Sequence, residues 1–138
     1  FRDQESIHGL GWSHNFFSSK PGIWTEGNIS TLLFKIDEKT NKNYTIAIKL
    51  ASLFTKKNEN INFSISINDL IFKKFSLKSI DNLNENLINL KINEEIIPGS
   101  ICYIKFIIDN PISPLELLQS PDARKLGILV ESLELINN

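Results

Sequence analysis

Trp12 and Trp24 stand in the short stretch Gly11–Gly27, with His14, Thr25 and Glu26 beside them. An indole presents a flat apolar face that stacks on the C–H face of a sugar ring, while neighbouring polar groups bind the hydroxyls. The same two rings serve equally well as plugs at the end of a protein core, where most large aromatics go. Trp24, flanked by Gly22 and Gly27 in a stretch that reads as loop, is the better platform of the two. A second constellation is Asp122 and Arg124, near the end of Asn110–Ile128, a run with two Ser-Pro steps. An Asp-x-Arg pair in a loop either forms an ion-paired clamp or offers carboxylate and guanidinium to a polar ligand. Trp12, His14, Trp24, Glu26, Asp122 and Arg124 are therefore the candidate ligand-binding residues.

Other chemistries find little footing. His8 and His14 have no metal-site spacing, and no Asp-rich loop marks a calcium site, so no cofactor is expected. A structural calcium held by loop oxygens is a more plausible ion than one on a His8, His14 and Glu26 cluster, but no motif names its site. No serine occupies a nucleophile elbow and no glycine-rich phosphate loop is present. Glu26 with Asp122 is the one carboxylate pair with a claim to glycosidase chemistry. Cys102, the single cysteine, lies in the apolar run Ile101–Ile108 and reads as a small buried hydrophobe. It leaves no intrachain disulfide, which suits a reducing compartment. No catalytic residue is assigned.

The totals fit one domain spanning residues 1–138. Hydrophobic residues make up 41% and charged ones 22%, and the net charge is −1. That balance, with Arg2 and Arg124 the only arginines, argues against a nucleic-acid partner. No apolar run approaches the roughly 20 residues of a membrane-spanning helix, so direct insertion is not expected. A chain beginning at Phe1 reads as a piece of a longer protein.

The elements that must hold these residues are strands. Ser30–Ile36, Tyr44–Leu50 and Ile61–Ile67 each alternate apolar with other residues, and Asn62, Ser64 and Ser66 should line a wet face. Asn68-Asp69 reads as a two-residue hairpin turn into Leu70–Leu77. The phase change at Lys73-Lys74 signals a bulge or a lysine-blunted edge. Leu87–Ile92 follows. The nearly continuous apolar run Ile101–Ile108 predicts a central strand buried on both faces. Leu126–Leu135 closes the series, with a phase shift between Val130 and Leu133. The expected core includes Phe34, Ile48, Ile65, Ile104, Phe106 and Val130. Helix is expected only as one turn near 114–118, with Ser113 as N-cap and Pro114 at the first position. Seven or eight such strands predict an all-β, two-sheet antiparallel sandwich of jelly-roll type. That topology would bring Trp12–Glu26 close to Asn110–Gly127. An immunoglobulin-type sandwich is the alternative.

The pieces Gly11-Trp12, Trp24-Thr25-Glu26-Gly27, Asn110-Pro111-Ile112-Ser113-Pro114 and Asp122-Ala123-Arg124-Lys125-Leu126-Gly127-Ile128 together resemble a bacterial accessory domain. It is found near the ends of phosphoglycerol transferase-like proteins and of glycosyltransferases that build surface polysaccharides. His14-Asn15-Phe16-Phe17 departs from that pattern, where Pro and Glu are usual. The resemblance covers about Gly11 to Leu135 and implies a non-catalytic, carbohydrate-binding-type sandwich module. Its partners would be a glycan and the catalytic domain of the same chain. The module would be cytoplasmic and membrane-associated through its parent, or else extracytoplasmic. Two rival expectations stay open: a docking or oligomerisation domain, and a small polysaccharide hydrolase or lyase.

Overall fold

The structure is a computed structural model that describes residues 7–14, 22–35, 43–51, 61–77, 86–92, 101–116 and 121–137. Ten strands follow in chain order: β1 Ile7–Leu10, β2 Trp12–His14, β3 Ile23–Glu26, β4 Ile29–Lys35 and β5 Tyr44–Ala51 come first. β6 Ile61–Ile67, β7 Ile71–Leu77, β8 Asn86–Ile92, β9 Ile101–Ile108 and β10 Leu126–Asn137 complete them. They form two five-stranded antiparallel sheets. The first has the order β1-β4-β9-β6-β7 and the second β2-β3-β10-β5-β8.

The two-residue period explains why the sheets stack. Leu32 and Phe34 of β4, Ile61, Phe63, Ile65 and Ile67 of β6, and Cys102, Ile104, Phe106 and Ile108 of β9 point inward from the first sheet. Tyr44, Ile46, Ile48 and Leu50 of β5, Ile88, Leu90 and Ile92 of β8, and Ile128 and Val130 of β10 meet them from the second. All six residues expected in the core are buried there. Burial pushes the Cys102 thiol up to about 12, as an apolar core should.

Several expectations need correction. β9 is central in its sheet but buried on one face only, its outward Tyr103, Lys105 and Ile107 being half-exposed and Ile101 exposed. A two-layer sandwich leaves each sheet one outer face, so a strand covered on both sides would need a third layer. Ser64 and Ser66 are buried although they point outward. Their neighbours across the sheet are long: Ile107 and Lys74 flank Ser64, and Lys105 and Phe72 flank Ser66. β7 pairs with β6 in unbroken register, so there is no bulge at Lys73-Lys74; the lysines sit on an edge strand. Lys73, opposite core residue Ile65, is exposed and blunts that edge.

The hairpin is as expected. Asn68 and Asp69 both have positive φ, 50° and 58°, and Leu70 N–H donates to the Ile67 carbonyl. The phase shift in β10 is a change of register against β5 between Val130 and Ser132. Ser113 Oγ accepts the Glu116 N–H at 3.1 Å over the turn Pro114–Glu116, while residues 117 and 118 lie outside the described residues.

Candidate functional site

The terminal motifs converge on one edge of the second sheet. β2 pairs with β3, which pairs with β10, setting Ser13 opposite Trp24, Trp24 opposite Leu129 and Glu26 opposite Leu126. Among the described residues of the stretch, 11–14 and 22–27, Trp24 thus lies in a strand and not in a loop. Alternation there is too short to register in a three-residue strand and a four-residue one.

Gly11 is the corner where the chain leaves the first sheet for the second. It has φ +81°, and an added Cβ would lie 2.3 Å from the Ile29 carbonyl oxygen, so only glycine fits. Its own carbonyl accepts from Glu26 N–H at 2.8 Å and from Ser30 Oγ at 2.5 Å. Trp12 then fastens the two sheets together. Its Nε1–H donates to the Thr31 carbonyl across the sandwich at 2.8 Å, and its ring meets Phe106 edge to face at 5.5 Å. Trp24 is 4% exposed and lies within the hydrophobic core. The platform reading of Trp24 is therefore corrected to the core reading, because a buried indole has no face to offer a ligand.

Thr25, fully buried, accepts the Ile128 N–H on Oγ1 at 2.9 Å. β10 shifts register against β3 between Leu126 and Leu129. Gly127 sits in that irregularity, and a Cβ there would come within 2.6 Å of Thr25 Oγ1 and 2.9 Å of Ile108. The Leu-Gly-Ile step of the second motif thus packs on the Trp-Thr step of the first.

Asp122 and Arg124 form a clamp at this edge. Arg124 Nε donates to both Asp122 carboxylate oxygens at 3.0 and 2.9 Å, and Nη2 to Oδ2 at 2.6 Å. Arg124 N–H adds a backbone bond to Oδ1 at 2.9 Å, and Nη1 reaches Ser13 Oγ on β2. The Arg124 side-chain bonds, and then its backbone N–H, hold the Asp122 carboxyl below the ordinary carboxylate range, against an opposing effect of desolvation that outweighs the Arg124 charge alone. A carboxyl kept ionised is a poor general acid, so in a carboxylate pair Asp122 could serve only as the base or nucleophile. Arg124 and Asp122 remain 20% and 18% exposed. The loop is held further by Ile112 and Leu126, which exchange backbone bonds at 2.9 and 3.0 Å, and by a Lys125–Glu116 ion pair.

Of the six candidates, Asp122 and Arg124 are joined directly, and half-buried Glu26 pairs with Leu126, two residues beyond Arg124. Trp24 lies in the core, and half-buried Trp12 is bonded to Thr31 across the sandwich. His14 contributes backbone to β2, opposite Ile23, but its side chain lies outside the described residues. Ser13 carries no mark in the sequence, because its partner Arg124 stands 111 residues away.

No family model matches the chain, and no curated protein matches it. Solved structures do. A family 35 carbohydrate-binding module from an environmental isolate superposes with a TM-score of 0.58 at 12% identity, covering 98% of this chain and 90% of that one. A family 35 module solved with a glucuronic acid-containing disaccharide gives 0.57 at 13% identity, over 96% and 88%. A 4-O-methyl-α-glucuronidase specific for decorated arabinogalactans gives 0.61 at 10% identity, over 98% of this chain and 17% of that enzyme. At such identities the likeness is one of fold: an all-β jelly-roll sandwich, as the strand pattern predicts.

Proposed function

We propose that this chain is a non-catalytic carbohydrate-binding module, serving a larger bacterial enzyme of surface-polysaccharide synthesis. The observation that carries the reading is the part-exposed Ser13–Arg124–Asp122 cluster, preorganised where both terminal motifs meet. Its guanidinium and carboxylate are fixed before any ligand arrives, and paired donors and acceptors at this spacing suit the hydroxyls of a sugar. The fold likeness to free-standing carbohydrate-binding modules supports it, as does the Gly-Trp and Asp-x-Arg-x-Leu-Gly-Ile pattern. Recognition here would be polar, with no tryptophan platform, because Trp24 is buried and Trp12 is bonded across the sandwich. The sugar would bind without chemistry, and the parent enzyme's catalytic domain would act on it.

The test is Arg124→Lys. Lysine keeps the charge but loses the fork. Glycan affinity should fall by at least about tenfold, or about 1.4 kcal/mol. Unchanged affinity in a folded Arg124→Lys protein would remove the cluster from the binding site.

A further inference from the structure

The charges in and around the Ser13–Arg124–Asp122 cluster narrow what it can hold. Arg124 turns its Nε–Nη2 edge to Asp122, with Nε 3.0 and 2.9 Å from the two carboxylate oxygens and Nη2 2.6 Å from Oδ2. That edge is one of the two on which a guanidinium grips a carboxylate through paired hydrogen bonds. The other edge, between Nη1 and Nη2, already carries Ser13 Oγ on Nη1. An incoming carboxylate therefore meets a fork with one edge filled by Asp122 and the other shared with a hydroxyl.

The neighbours supply no surplus of positive charge. Among the described side chains of Gly11–Gly27 and Asn110–Ile128, the cations are Arg124 and Lys125, and the carboxylates are Glu26, Glu116 and Asp122. Lys125 is ion-paired with Glu116, as Arg124 is with Asp122. Glu26, opposite Leu126 in the β3–β10 ladder and so close to Arg124 along the chain, tips the balance to negative. Gly27 N–H donates to the Lys125 carbonyl at 2.8 Å, which ties the Glu26 corner to the strand that carries the clamp.

From this balance, and resting on the reading of the cluster as the sugar site, we infer that the module selects uncharged sugars and discriminates against uronic acids. A sugar hydroxyl both donates and accepts, so it can match Ser13, whose hydroxyl accepts from Nη1 and keeps its own proton to give. A sugar carboxylate only accepts, and it must shed water beside Asp122 and Glu26 with no surplus cation to replace that water. Arg124 and Asp122 are only 20% and 18% exposed, so like-charge repulsion there is less screened than on an open surface.

Calorimetric titration of the full chain with matched oligosaccharides tests this. The probes are gluco-, manno- and galacto-oligosaccharides, each prepared as the C6 uronate and as the C6 uronamide, which has the same shape without the charge. The uronamide should bind at least about tenfold more tightly than the uronate at low ionic strength, and the margin should shrink as salt is added. Asp122→Asn removes one negative charge and loosens the filled edge, so the margin should fall at least about fivefold. Glu26→Gln leaves the clamp whole and should move the margin the same way, which keeps the test open if Asp122→Asn does not fold. A uronate bound as tightly as its uronamide, or more tightly, overturns the inference and leaves the module a sugar binder. A margin that neither substitution moves overturns it too. Failure of every sugar to bind removes the sugar site itself, and the inference with it.

Discussion

Replacing Trp24 by alanine distinguishes an indole that holds the sandwich together from one that holds a ligand. The side chain is 4% exposed in β3, between β2 and β10, with Ser13 and Leu129 opposite it. Truncating a buried aromatic to alanine costs about 3–5 kcal/mol, the lost transfer energy plus the cavity left behind. A chain of 138 residues unfolds with an entropy of roughly 0.29 kcal/mol/K at about 2.1 cal/mol/K per residue. The melting temperature should therefore fall by about 10–17 °C. The assay is a thermal melt by far-ultraviolet circular dichroism, with a glycan titration of the mutant well below its midpoint. Affinity there should stay close to wild type. A melting temperature within about 3 °C of wild type, accompanied by lost binding, would refute the burial argument and restore Trp24 as a platform.

Two further outcomes follow from the ionisable groups. The Cys102 thiol, raised to about 12, should resist a thiol-directed reagent at pH 8 in the native protein and react promptly in denaturant; comparable rates in both would contradict its burial. For Asp122, whose native pKa is depressed, the stabilising contribution is complete above the ordinary carboxylate value of about 4 and is lost as pH falls through the native one. Asp122→Asn should be less stable than wild type at neutral pH, and the gap should close in acid. A gap that widens below about pH 4 would reverse the sign of this account.

How far these features could be read from the chain depended on their length. The hairpin at Asn68-Asp69, the core positions of β4 to β6 and the register change in β10 all follow from alternation sustained over six residues or more, where the period is unambiguous. β2 and β3 carry only three and four residues, so Trp24 reads as a loop residue in the sequence and the choice between core plug and platform stays open there. In Ile101–Ile108 the apolar count points to burial on both faces, whereas Lys105 alone marks the outward side. Ser64 and Ser66 are buried by neighbours supplied from other strands, and strand order is not contained in any local pattern. The joining of Ser13 to Arg124, 111 residues away, is of the same kind. The jelly-roll expectation predicted that the two segments would approach but could not supply the partner.

The most direct measurement is a glycan array of the wild-type chain, followed by calorimetric titration of the sugars it retains. The account predicts saturable binding to at least one oligosaccharide class, with a dissociation constant between about 1 μM and 1 mM, and no turnover of the ligand. Absence of binding up to about 10 mM for every glycan tested, or cleavage of a bound oligosaccharide, would contradict it.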